Sequence, residues 1–461
     1  MGDNTSKKIF FYFLISHLIF WTLVPSLTNN NLPRDTIEAL AWGSNLDWGF
    51  DKHPPLSAFA VEIFYKIFGN QDWAYYFLSQ IFVILTFFVV WVFSRELFKN
   101  DKYALISVLL LESIYFYNFT TPEFNVNVCQ LPFWALAVFY CWKGFKNNKI
   151  NDWLLFGLFA GFGVLSKYLF IYLLCGIDLF LIYMLIKKKI DLKCLVSLFS
   201  FLLILIPHLV WLIENDYITI FYGIHRTSAE FYVGSQSFLN HIEYPVIFLI
   251  KQIAILCPFF LLLLFVVKKF KNRLNLNDEK LIFLISINLV PIALVLLTSL
   301  LIGIKIRTMW MTPFYLFFGV FALYIFRKNL DFKKIKNFYV IFLILFFISP
   351  LVYSINSLSK KNQRIDYPAK EISKVVEKSW NKNFKNTIDI VVGQSWWAGN
   401  LSYHLKTRPK YIRGYLDFVS KEIGPNEGIV YIENEKSKLT KVCPGVYFVM
   451  HKMYICMVGT K

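Results

Sequence analysis

Runs of about 20 consecutive apolar residues recur along nearly the whole chain, and each is long enough to cross ~30 Å of hydrocarbon as a helix. They fall near 8–27, 73–95, 103–119, 127–143, 152–166, 168–186, 195–213, 242–267, 281–302, 308–326 and 337–356. The first follows Lys7 and Lys8 and ends without a small-residue cleavage site, so it reads as an uncleaved anchor. Leu56–Phe68 is apolar but too short to span, which suits a helix lying in the interface. With 57% of 461 residues hydrophobic, a water-soluble fold has too little interior to hide them, whereas a lipid-facing bundle need not. The expectation is a polytopic α-helical membrane protein with about eleven transmembrane helices.

The net charge of +18 would point to nucleic acid in a soluble protein, but here the cations sit in short clusters between apolar runs. The clusters are Arg95/Lys99/Lys102, Lys143/Lys146/Lys149, Lys187/Lys188/Lys189, Lys268/Lys269/Lys271/Arg273 and Arg327/Lys328/Lys333/Lys334/Lys336. They occupy alternate loops, as topology determinants do, so no nucleic-acid partner is expected. The positive-inside rule makes these loops and the N-terminus cytoplasmic, and an odd number of spans places the tail outside. Two domains follow: a membrane domain, 1–356, with external loops 29–72, 120–127, 214–241 and 303–307, and a soluble extracytoplasmic domain, 357–461.

The loops assigned to the outer face hold most of the chemistry. The first carries Arg34, Asp35, Glu38, Asp47, Asp51, Lys52 and His53. Asp35 and Glu38 are three apart and share one face of a short helix. The second carries Glu123 beside a span, where a carboxylate without a partner is costly. Lys167 lies between two apolar runs, Glu214, Asp216, His225 and Arg226 follow the run ending near 213, and Lys305 and Arg307 precede Trp310. Each has an ordinary reading: a solvated helix face for Asp35 and Glu38, a helix N-terminal charge for Glu123, snorkelling for Lys167 and Arg307, a structural imidazole for His225. Their convergence on one membrane face is what suits a site where a carboxylate acts as base and cations hold a phosphate.

The ordered stretches Asp35-Thr-Ile-Glu38, Trp48-Gly-Phe-Asp-Lys-His-Pro-Pro-Leu56, Thr121-Pro-Glu-Phe-Asn-Val-Asn127, Gly161-Phe-Gly-Val-Leu-Ser-Lys-Tyr168, Pro207-His-Leu-Val-Trp211, His225-Arg226 and Arg307-Thr-Met-Trp310 resemble the bacterial family 39 glycosyltransferases of the GT-C fold. These are similar to protein O-mannosyltransferases and to the lipid A aminoarabinose transferase. The resemblance covers about 20–330. It implies a GT-C-type bundle and a sugar donor carried on a polyprenyl phosphate. It also implies inverting transfer to lipid A, an envelope glycan or a protein on the outer side of the bacterial cytoplasmic membrane. By the same resemblance Asp35 is the general base and Glu123 a second acid near the acceptor or a metal, with Glu38 the further carboxylate of the site. Lys52, His53, Lys167, Arg226 and Arg307 hold the donor phosphate, and Asp51 with His225 is a divalent-metal position. The mannosyltransferases carry Asp-Glu side by side, whereas Thr36 follows Asp35 here, which weakens a protein acceptor.

The tail reads as a small α/β domain, with strands at Ile388–Val392 and Gly428–Ile432, one or two more within Tyr447–Met457, and a helix at Trp397–Leu405. It contains Gly393-Gln-Ser-Trp-Trp-Ala-Gly-Asn400. Cys443 and Cys456 flank strand residues and are candidates for a disulfide, while Cys129, Cys141, Cys175, Cys194 and Cys257 sit in or beside apolar helices. Two other functions compete. A transporter or flippase of lipid-linked sugars would place ionisable residues inside the spans, whereas the span interiors are nearly free of charge, with Glu112 an exception. A non-catalytic scaffold would leave the external cluster without a purpose.

Overall fold

The computed structural model describes residues 3–227, 238–271, 273–414, 426–440, 446–450 and 453–461. It is a helical bundle with a five-stranded α/β unit at the end of the bundle where the external loops gather. Seven described helices are long and apolar enough to cross a membrane: Asn4–Thr28, Asp72–Phe98, Tyr168–Ile186, Leu192–Glu214, Asn240–Leu263, Glu279–Ile302 and Ile335–Ser359. An eighth is reached if Thr308–Tyr315 and Phe318–Ile325, bent by 54° at their break, act as one span. The protein is therefore a multi-pass membrane protein. Its outward helix faces stay apolar, as with Leu343, Ile344, Phe347, Ile348 and Leu351 of Ile335–Ser359, all exposed where lipid would cover them.

The count of long helices falls below eleven because three expected spans fold as shorter pieces. The run near 103–119 becomes Asp101–Leu109, then 3-10 turns at Leu110–Ser113 and Tyr115–Tyr117, separated by extended Ile114. Glu112 sits in that break, fully buried, 3.1 Å from Nδ1 of His17. The runs near 127–143 and 152–166 become Leu131–Asn147 and Ile150–Ser166, each 17 residues and so about 25 Å long. The second of these packs closely on Leu192–Glu214: a Cβ at Gly157 would lie 1.9 Å from the carbonyl oxygen of Ser197. Small residues at such a crossing let two helix backbones meet where packing, rather than water, drives association.

The tail contains β1 (Ile390–Gly393), β2 (Lys410–Arg413), β3 (Ile429–Glu433), β4 (Val446–Met450) and β5 (Met453–Val458) in the order β2-β1-β3-β5-β4. β1 runs parallel to β2 and β3, and β5 is antiparallel to both β3 and β4. β1, β3 and the helix, Ser395–His404, fall within a few residues of expectation, and the run 447–457 is two strands, β4 and β5. β2 escaped the sequence because it is a four-residue strand whose ends are exposed, with no alternating pattern to mark it. Cys456 is disulfide-bonded and Cys129, Cys141, Cys175, Cys194 and Cys257 are free; Cys443 lies outside the described residues.

The tail does not close its core alone. Ala41, Trp42, Phe50 and Ala58 of the first external loop are buried in the same apolar cluster as Ile372, Val376, Trp380, Val391, Leu401 and Ile455. Loop and tail thus bury one another and share a side of the bundle.

Candidate active site

The first loop rises from Asn4–Thr28 and folds into a helix, Arg34–Gly43, entered through Pro33, whose fixed φ of −60° suits the position before a first turn. Asp35 lies in that first turn. Its backbone N–H donates to Oε1 of Glu123 at 2.9 Å, and the hydroxyl of Thr36 donates to the carbonyl of Phe124 at 3.0 Å. Two loops far apart in sequence are thereby clasped, and Asp35 and Glu123 both line one cavity. Asn125 caps the short helix Val126–Cys129, which aims Asn127 at Lys167. Nζ of Lys167 donates to Oδ1 of Asn127 at 2.5 Å and lies 5.2 Å from the ring of Trp310. Lys167 is in extended backbone at the junction of two helices, and its side chain is only 4% exposed.

Lys52 pairs with Oε1 of Glu38 in a short contact, and Oγ of Ser395 donates to the same oxygen at 2.7 Å. His208 pins the intervening loop from the bundle. Its Nδ1–H donates to the carbonyl of Trp48 at 2.7 Å, which leaves Nε2 to accept from the hydroxyl of Tyr168 at 2.7 Å. Trp211 packs where a side chain at Gly49 would sit, with ring atoms 2.2 Å from a built Cβ, so the backbone at Gly49 approaches the ring as only glycine allows.

These groups surround a cavity of about 770 Å³. Asp35, Glu38, Lys52, His53, Glu123, Lys167, Arg226 and Arg307 all line it. Apolar side chains also line it, among them Leu169, Ile171, Val295, Ile304 and Met309. Arg34 and Arg364 also line it and carry no role in the sequence reading. Arg364 lies in a Lys-rich stretch, 357–386, where no local pattern distinguishes it from its neighbours.

Burial sets the protonation of the site. Asp35 and Glu123 are walled in, and loss of hydration raises both carboxyls; the charge of Asp35 adds to the rise at Glu123, and that of Glu38 to the rise at Asp35. Arg34, Lys52 and Lys167 oppose the rise at Asp35. For Glu38 the direction is reversed. Desolvation is its largest single influence and acts upward, yet the charge and hydrogen bond of Lys52, with the bond from Ser395, together hold its carboxyl below the usual range. Burial drives His53 down to about 3, so it is a neutral imidazole. Burial also brings Lys167 down to about 7, against the pull of Asp35 and with the repulsion of Arg307.

The donor set does not fit the expected metal position. Neither Asp51 nor His225 lines the cavity. Asp51 accepts a short contact from Arg413, and His225 is exposed near the end of Ile218–Thr227. Among the described residues no group of three or more His, Cys, Asp or Glu side chains could hold a metal ion. A buried carboxylate spent on an arginine is a poor ligand, and no step is routed through a metal here.

A helical membrane bundle with a small α/β unit docked on the loops at one end is a GT-C-type fold, and the comparisons agree on the fold. Residues 52–211 match the family described as dolichyl-phosphate-mannose-protein mannosyltransferase. The apo crystal structure of ArnT from Cupriavidus metallidurans superposes with a TM-score of 0.63, covering 98% of each chain at 12% identity. The structure of the same protein bound to undecaprenyl phosphate superposes with a TM-score of 0.59, covering 97% of each chain at 11% identity. The likeness to ArnT, the lipid A aminoarabinose transferase, is one of fold over the full length. No curated protein matches in sequence. Asp35 and Arg307 lie outside the matched residues 52–211, so their placement rests on the cavity itself.

Proposed function

We propose that this chain is a membrane glycosyltransferase that takes a sugar from a polyprenyl-phosphate donor on the outer side of the cytoplasmic membrane. The observation that carries this reading is one cavity lined by a half-buried carboxylate pair, Asp35 and Glu123, by Lys52, Lys167, Arg226 and Arg307, and by apolar side chains such as Leu169, Ile171 and Val295. A lipid phosphate needs that combination: cations for its head and an apolar surface for its chain. The match to a dolichyl-phosphate-mannose family and the undecaprenyl phosphate bound by ArnT support the same donor class.

In the reaction, Asp35 accepts the proton of an acceptor hydroxyl or phosphate as its oxygen attacks the anomeric carbon from the side opposite the phosphate. The bond from that carbon to the phosphate oxygen breaks, the configuration inverts, and the polyprenyl phosphate leaves with the electron pair. Lys52, Lys167, Arg226 and Arg307 stabilise the charge that builds on it. An arriving phosphate favours the ammonium form of Lys167, so donor binding charges the residue that then assists departure. Neutral His53 contributes a hydrogen bond rather than a charge. Glu38, bonded to Lys52 and Ser395, orients Lys52 instead of acting as a second base. The acceptor is a lipid A, envelope-glycan or protein group, and Thr36 beside Asp35 disfavours the protein. The basic loops make the N-terminus cytoplasmic and the tail, on the cavity's side, periplasmic or extracellular.

Mass spectrometry of lipid A and surface glycans tests the reading, comparing a deletion strain with strains carrying wild type or Asp35→Asn. Wild type adds a hexose-, pentose- or amino-sugar-sized mass that Asp35→Asn does not. Equal products from both would remove Asp35 as the base. The transporter reading draws on the buried His17–Glu112 contact and the broken helices around it. It predicts that lipid-linked sugar crosses vesicles with no new glycan formed.

A further inference from the structure

The helix Ser395–His404 lies across Arg34–Gly43, the helix that carries Asp35 and Glu38. A Cβ at Gly399 would lie 3.0 Å from Cβ of Ala41 and 3.1 Å from the carbonyl oxygen of Ile37, so the two backbones meet at the one residue without a side chain. Along the contact, Asn31 donates to Asn400 at 3.0 Å. Arg408 donates to Glu62 at 2.7 Å and to the carbonyl of Leu40 at 2.6 Å. The backbone N–H of Tyr411 donates to Ser44 at 2.9 Å. The polar ties continue to the cavity's edge, where Arg413 meets Asp51 and Ser395 meets Glu38.

The last of these contacts is of a different kind. Ser395 donates to Oε1 of Glu38, and that same oxygen receives Lys52. Two donors on one oxygen fix the rotation of the Glu38 carboxylate. A lysine ammonium is a point charge on a flexible stem, and here its place is set by the carboxylate it touches. It has three N–H donors, so one bond to Glu38 leaves two for an incoming anion. Arg413 holds Asp51, the residue before Lys52, from the other side.

We propose that the C-terminal domain is a working part of the cavity, with Ser395 a positioning residue that holds Glu38, and through it Lys52, where Lys52 meets the donor phosphate. This inference rests on the lipid-phosphate reading of the cavity. It gives the Gly393–Asn400 segment a purpose: Ser395 reaches the site, Ala398 fills the shared core, Gly399 permits the close approach and Asn400 ties the helix to Asn31.

The test uses the purified full-length chain in detergent as wild type, Ser395→Ala and Ser395→Thr, with two readouts. The first is binding of C55 polyprenyl monophosphate. The second is the rate at which an amine-reactive reagent labels Lys52, read by peptide mass spectrometry without lipid. Losing a hydrogen bond to a charged group weakens lipid binding roughly tenfold in Ser395→Ala, while Ser395→Thr keeps the hydroxyl and stays near wild type. Lys52 labels several-fold faster in Ser395→Ala and not in Ser395→Thr. Unchanged Lys52 labelling in Ser395→Ala overturns the positioning role even if the lipid binds. Faster labelling with no lipid binding by wild type upholds the positioning role and overturns the donor reading. Equal loss in Ser395→Ala and Ser395→Thr overturns the hydroxyl's part, and leaves the contact a matter of packing.

Discussion

The two ends of the helical bundle use the same charged residues in opposite ways. At the basic-loop end the pairs keep an exposed cation: Lys193–Asp191, Arg95–Asp101 and Lys189–Glu279, whose basic side chains are 50%, 37% and 58% exposed. At the cavity end these cations are half-buried or buried and joined to partners: Lys52 to Glu38, Arg408 to Glu62, and Lys167 to Asn127. An exposed cation costs little to keep, and its value lies in telling the membrane which side is inside. A buried cation loses hydration and stays only if partners or a ligand compensate. Burial therefore separates topology charges from working charges, where residue type does not.

That contrast can be broken by measurement. Asp35→Asn should lower transfer by about 10³-fold while the protein still folds, because the base is lost and the size is kept; transfer assays on purified protein check it. Next in size, Lys167→Gln should cost about 10²-fold in kcat/KM, the effect of removing one electrostatic contact from a dry site. The pH profile sharpens this prediction. The burial-lowered Lys167, at about 7, is cationic below that value and neutral above it, so kcat/KM of the free enzyme falls as pH rises through about 7. Lys167→Arg, permanently charged, should remove that limb, and a wild-type profile flat from pH 6 to 8 would contradict the assignment. Arg408→Ala should destabilise the protein by about 3 kcal/mol, since it strands buried Glu62 and loosens the tail; thermal unfolding in detergent checks it. Lys189→Ala, at the other end, should change stability by no more than about 0.5 kcal/mol and leave transfer untouched.

Much of the site was legible because it is written in ordered short segments. Asp35, Lys52, Glu123, Lys167 and Arg307 stand out as charges beside apolar runs, where only function or topology tolerates them. The bundle was legible through hydropathy, although Ile114 and the bend near Phe317 divide spans that read as continuous, because apolar composition does not record where a backbone turns. What the tail contributes was not legible. Ser395 and Glu38 are 357 residues apart, and Arg413 and Asp51 are 362 apart. A serine before two tryptophans carries no local sign of a distant carboxylate. The partner of Asp51 was hidden for the same reason, since it is Arg413, from a strand the sequence did not show, that engages it.

The central claim is that the cavity binds a polyprenyl-phosphate sugar and uses Asp35 to transfer the sugar. The most direct measurement incubates purified wild type and Asp35→Asn with a lipid-linked sugar and acceptor-containing membranes. Released polyprenyl phosphate and transferred sugar are then counted together, with binding of the free lipid phosphate followed in parallel. The account predicts one lipid phosphate released per sugar transferred by wild type, about 10³-fold less of both with Asp35→Asn, and equal lipid binding by the two proteins. Turnover by Asp35→Asn at the wild-type rate, or no binding of lipid phosphate by either protein, would contradict it.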